Sequence, residues 1–255
     1  MAGNLIVEIK DRVAAITINR EERRNALDHH TVRELGDALT RAESDDVSVV
    51  VLRGAGIKAF SAGDDIKAYK ERTPAESLAH AERGQALMDR IEDHPCAVIA
   101  AIEGFCLGGG FELALACDYR IAGTGASFGL PEVRRLKALP TWGGSTRLAR
   151  YVGLAEARAL VLFGTRLSAE DAMARGLVNE VVLHRRAFDR AMEFARAYAA
   201  ETDRTTVALA KRLVVHAFGA PRRVARYMET LADRSQQGST AFQSGMAGFA
   251  GSKRA

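Results

Sequence analysis

The stretch "GFCLGGGFELALACD", residues 104–118, sets three consecutive glycines at the mouth of an apolar run and places one carboxylate, Glu112, inside it. Glycine costs roughly 1 kcal/mol against alanine in a helix, so a helical reading of "GGGFELALAC" gives up about 2–3 kcal/mol in its first turn. Either close packing of a strand on the helix or close approach of backbone to a ligand can offset that cost. Free N–H groups at a helix start also attract negative charge. Nucleotide phosphates do not fit: Leu113 stands where a dinucleotide fingerprint needs its last glycine, and no G-K-[ST] follows. A developing charge on a substrate carbonyl remains, in the manner of an oxyanion hole.

Glu112 is flanked by Phe111, Leu113, Ala114, Leu115 and Ala116, which predicts a helix buried on all sides. A buried carboxylate has a raised pKa unless it is paired or hydrogen-bonded. Glu112 therefore either complements the helix dipole or serves as an acid or base. A second carboxylate, Glu132 in "FGLPEV", follows a glycine- and proline-marked turn. Together the two offer the paired carboxylates that acid–base work on one substrate requires.

Outward from this block, strand and helix signals alternate. "LIVEIKDRVAAITINR" (5–20) reads as a hairpin broken by "KDR", and Asp28 opens an amphipathic helix carrying Val32, Leu35 and Leu39. "VSVVVLRG" (47–54) and "AVIAAIEG" (97–104) are buried strands. Between them, Thr73, Pro74 and Glu76 start a helix with a capping box. Short strands follow in 119–132, then a helix over 153–164 closed by Gly164, a short helix capped by Ser168 and ended by Gly176, and a strand over 177–182. The alternation, at spacings of about 40–50 residues, predicts an α/β fold with a repeated structural turn. From residue 186 onward the pattern is helical only, a segment too small for much core of its own.

Composition bounds the rest. The 255 residues are 47% hydrophobic and 27% charged, with a net charge of +4. Residues 1–184 hold 23 Lys+Arg against 26 Asp+Glu, and residues 185–255 hold 13 against 6. A basic final third suits nucleic acid, an acidic membrane surface or a phosphate-bearing small molecule, or is simply a set of solvated helix faces. Lys and Arg there alternate with acids and few aromatics, which argues against RNA. No apolar run approaches a membrane span, no secretory signal is legible, and three cysteines in no ligand spacing point to a reducing, cytoplasmic setting. The six histidines show no metal-ligand spacing, so no metal site is expected, and no G-x-S-x-G elbow is present.

At these residues the chain resembles the enoyl-CoA hydratase/isomerase, or crotonase, family. The resemblance is carried by "NALD" (25–28), "AFSAGDDIK" (59–67), "IAAIEGFCLGGGFELALACDYRIAG" (99–123) and "FGLPEV" (128–133), and continues in "GGSTRLARYVG" (143–153) and "ARGLVNEVV" (174–182). It implies a crotonase-like spiral of β-β-α turns over residues 1–185 and a C-terminal helical region, 186–255, that joins subunits into trimers or hexamers. It also implies a coenzyme A thioester as substrate, with no tightly bound cofactor. By this resemblance Glu112 and Glu132 are catalytic, and the backbone N–H groups of Asp64 and Gly109 bind the thioester oxygen. Arg24, Ala26, Ala62, Asp64, Asp65, Ile66, Lys67, Gly109, Phe249 and Lys253 line the CoA and substrate site. Retention of both glutamates points to hydration of a 2-enoyl-CoA, with isomerisation, decarboxylation or an inactive assembly subunit as alternatives. Three features depart from the family's usual pattern: an aspartate at 64, a longer stretch after Glu132, and Trp142 before the paired glycines.

Overall fold

The structure, a computed structural model, describes residues 3–252 of the chain. A hairpin opens it, β1 (Leu5–Lys10) pairing antiparallel with β2 (Val13–Ile18). The helix α1 (His29–Ser44) follows, and the Asp28 side chain caps it by accepting from Thr31 N.

Three β-β-α turns come next. The first is β3 (Val49–Gly54), β4 (Ala59–Ser61), the short α2 (Ile66–Glu71) and the long α3 (Pro74–Glu92), which starts at the expected Thr73/Glu76 capping box. The second is β5 (Ala97–Ile102), β6 (Phe105–Leu107) and α4 (Gly109–Ala116). The third is β7 (Tyr119–Gly123), β8 (Ser127–Gly129) and α5 (Gly144–Phe163). The first strands of the turns lie side by side and parallel in a six-stranded sheet of order β1-β2-β3-β5-β7-β10, where β10 is Glu180–Val182. The second strands do the same in a four-stranded sheet of order β4-β6-β8-β9, where β9 is Leu167–Ser168. The repeat is real, but its spacing is uneven. The turns begin at 49, 97 and 119, because the second is closed by only the eight-residue α4.

Two other expectations shift. The helix foreseen over 153–164 begins earlier, at Gly144 with Gly143 as its N-cap, and runs through a break at Gly153. The stretch after Glu132 is wound as a π turn over Glu132–Leu136, closed by Lys137 N–H donating to Glu132 O. A wide i→i+5 turn takes up an extra residue without lengthening the loop.

Both faces of the large sheet are covered. Val50, Leu52, Val98, Ala100 and Ile102 pack into the main core beneath α1, α3 and α4. Their alternates Val49, Val51, Ile99 and Ala101 meet α7 (Ala187–Glu201) through an alanine stripe at 187, 191, 195 and 199. Small residues at helical spacing let that helix lie close on the sheet. After the short α6 (Ala169–Ala174) and β10, the chain thus returns across its own core before α8 (Arg204–Ala217), α9 (Arg222–Gln236) and α10 (Thr240–Ser252). Val224, Tyr227, Leu231, Phe242 and Met246 on the last two helices are exposed. Among the described residues, no helix is long and apolar enough to cross a membrane.

Candidate active site

The three strands of the small sheet release the chain at one place. Past β4 runs the Ala62–Asp65 loop; past β6 come Gly108 and the start of α4; past β8 come Pro131 and Glu132. Gly108 N–H donates to Gly129 O at 3.0 Å, tying the second exit to the third. The first exit is tied to residues 24–27, with Ala62 N–H on Arg24 O and Leu27 N–H on Gly63 O.

The three glycines serve three ends. Gly108 stands at φ +53, a conformation that favours glycine, and a Cβ there would lie 2.7 Å from Glu132 Oε1. A Cβ on Gly109 would lie 2.8 Å from the Trp142 ring and 3.4 Å from Asp64 N. One on Gly110 would sit 2.4 Å from Ser61 O, so that glycine is there for packing against β4. Close packing against other parts of the chain thus accounts for all three glycines. Among the described residues, neither Asp64 N–H nor Gly109 N–H has an acceptor. Two adjacent unpaired donors, one of them at a helix N-terminus, suit an oxygen on which negative charge develops.

Glu112 is 2% exposed on the first turn of α4. Its Oε1 accepts from Trp142 N–H at 2.8 Å and Gly144 N–H at 2.7 Å. Burial pushes its pKa up to about 7, against the Gly144 hydrogen bond and with the help of the Glu132 charge. Gly144 is required by the same contact: a Cβ there would lie 2.7 Å from Glu112 Cγ. Glu132 is also buried, its pKa raised by burial, and its Oε2 has no partner among the described residues. Two buried carboxylates that feel each other's charge share a proton over the window between their two titrations.

The Asp64 carboxylate is held by Arg72, whose Nη1 and Nη2 donate to Oδ2 and Oδ1 at 2.9 and 3.0 Å, and by His80 Nε2 at 3.0 Å from Oδ1. Trp142 is 3% exposed; it packs edge-on against His80 with ring centroids 5.2 Å apart.

Of the expected CoA-site residues, Arg24, Ala26, Ala62, Asp64, Asp65, Ile66 and Lys67 are brought together by the paired loops. Ile66 and Lys67 are exposed and Ala26 is buried. The Arg24 guanidinium lies 5.7 Å from the Phe105 ring. Asp65 has a structural role in addition: its carboxylate caps α2 and pairs with Arg20 at 3.0 Å. Phe249 is 61% exposed on α10, and Lys253 lies outside the described residues. No cluster of His, Cys, Asp or Glu among the described residues is arranged to hold a metal ion.

A sequence model described as Enoyl-CoA hydratase/isomerase matches residues 8–255. The chain belongs to that family. Among its relatives in the family, the short-chain-enoyl-CoA hydratase of Clostridium acetobutylicum is 41% identical over 194 residues, covering 76% of this chain and 74% of that one. The crotonyl-CoA hydratase of Syntrophomonas wolfei is 41% identical over 180 residues, covering 70% and 69%. The crystal structure of an enoyl-CoA hydratase from Bacillus anthracis superposes with a TM-score of 0.92 at 35% identity, covering 98% of this chain and 96% of that one. The fold is therefore the crotonase-family fold, a spiral with C-terminal helices.

Arg72, His80 and the two N–H donors to Glu112 were not found from sequence. Arg72 and His80 sit in ordinary helical surroundings, and only their approach to Asp64 sets them apart.

Proposed function

We propose that this family member adds water to a 2-enoyl-CoA thioester to give a 3-hydroxyacyl-CoA. The observation that carries the reading is the pair of buried carboxylates, Glu112 and Glu132, beside two unpaired N–H groups. Glu112 takes a proton from water as its oxygen bonds to C3 of the substrate. The C2–C3 π electrons move onto the thioester carbonyl, and Glu132 then delivers a proton to C2. Asp64 and Gly109 N–H hold the carbonyl oxygen while it carries charge, each such donor being worth roughly 3–4 kcal/mol of transition-state stabilisation. One carboxylate must be ionised and the other protonated, which is the shared-proton state of the pair.

Coenzyme A enters as part of the substrate, along Ala62, Asp64, Asp65, Ile66 and Lys67 with Arg24 and Ala26 behind them, and with Phe249 as a further contact. The named activities of the two bacterial relatives, short-chain-enoyl-CoA and crotonyl-CoA hydratase, support a short acyl chain. Exposed apolar residues on α9 and α10 suit a homotrimer or a hexamer. Mass analysis of the product from crotonyl-CoA tests the reaction. Gain of one water is expected. An unchanged mass with a moved double bond, from a 3-enoyl-CoA, would replace hydration with isomerisation.

A further inference from the structure

We propose that Arg72, assisted by His80, is a positioning residue for the oxyanion site: it neutralises the carboxylate that this chain carries on its oxyanion loop. The proposal rests on the oxyanion reading given above. The side chain and N–H of Asp64 leave the same residue, so an uncompensated carboxylate there opposes the charge that the N–H is meant to stabilise. Arg72 removes that conflict with a two-pronged contact, at 2.9 and 3.0 Å, from a side chain only 10% exposed. A guanidinium fork fixes the plane of the carboxylate as well as its charge. It also holds the carboxylate on the α2–α3 side of the loop, since Arg72 is the C-cap of α2 and directly precedes the Thr73 cap of α3.

His80 links this clamp to the rest of the site. Its Nε2 donates to Asp64 Oδ1 while its Nδ1 is buried and, among the described residues, without a partner. The ring leans on Trp142, whose indole crowds Gly109 and whose backbone N–H donates to Glu112. One connected set of residues, Arg72, His80 and Trp142, thus touches Asp64, Gly109 and Glu112. Among the described residues, Asp64 is the carboxylate that Arg72 pairs with.

The test compares Arg72→Met, Arg72→Lys and the double variant Arg72→Met/Asp64→Ala with the wild type, all checked for native circular dichroism. Arg72→Met is expected to lower kcat roughly tenfold or more with KM nearly unchanged, since it leaves an anion beside the developing oxyanion. Arg72→Lys, which keeps the charge without the fork, loses less. In the double variant, removal of the anion recovers most of the lost kcat. A double variant as slow as Arg72→Met, or Arg72→Lys as slow as Arg72→Met, overturns the proposal.

A second readout does not depend on hydration. Acetoacetyl-CoA is titrated at fixed pH and followed by the near-ultraviolet absorbance of its enolate. The wild type is expected to raise the enolate fraction, Arg72→Met to lower it, and the double variant to restore it. No enolate band with the wild type refutes the oxyanion reading itself; a band unchanged in Arg72→Met refutes only the role of Arg72.

Discussion

Glu112→Gln is expected to make the protein more stable at pH 8 while removing its activity. The wild-type carboxyl titrates at about 7 in place of 4.5, a difference of about 2.5 units. At 1.36 kcal/mol per unit, ionising it in the native state costs about 3 kcal/mol. The direction follows from proton counts. Between pH 4.5 and 7 the unfolded chain has released this proton and the native protein has not, so the stability of the wild type falls as pH rises through that window. Glutamine does not titrate, and its Oε1 can still accept from Trp142 and Gly144 N–H. Relative to the wild type, the variant therefore gains about 3 kcal/mol between pH 4.5 and pH 8, equivalent to about 6–12 °C in Tm for a chain of this size. Thermal unfolding followed by circular dichroism at both pH values, at one protein concentration, measures it. A Tm difference that does not change with pH would refute the argument that burial sets the protonation of Glu112. Loss of the general base should lower kcat in the same variant by about 100-fold or more.

Three further outcomes follow from the same geometry. The value of kcat/KM should fall below about pH 7 as Glu112 takes up its proton, and a pH–rate profile with Glu112→Gln as control checks the assignment. Gly109→Ala should lower kcat about 100-fold, because its Cβ would lie 2.8 Å from the Trp142 ring and 3.4 Å from Asp64 N; steady-state kinetics would show it, and a variant of normal rate would place the oxyanion elsewhere. Arg120→Met should cost roughly 2–4 kcal/mol in denaturant unfolding. The fully buried Arg120 guanidinium donates to Leu177 O, Cys117 O and Ala114 O, and so holds the C-terminus of α4.

Elements whose ends carry their own chemistry were legible in the sequence. Asp28, the Thr73/Glu76 box and Ser168 each cap the helix they were expected to start. The unbroken apolar runs "VVVL" and "AVIAAI" likewise marked strands that are buried on both faces. What could not be read depends on contacts between segments distant in the chain. The reason for Gly109 lies in Trp142, and the reason for Gly144 lies in Glu112. Asp64 stood out in the sequence as an anion on the wrong loop. Its answer, Arg72 and His80, is eight and sixteen residues away on two different elements, where no spacing rule points. The π turn after Glu132, which packs beside α5, was visible only as surplus length.

The most direct test of the central claim is the ultraviolet absorbance of crotonyl-CoA after mixing with the wild-type protein and, in parallel, with Glu132→Gln. The account predicts prompt loss of the conjugated thioester absorbance and formation of 3-hydroxybutyryl-CoA with the wild type, and none above background with the variant. Turnover by Glu132→Gln at the wild-type rate would contradict the two-carboxylate mechanism.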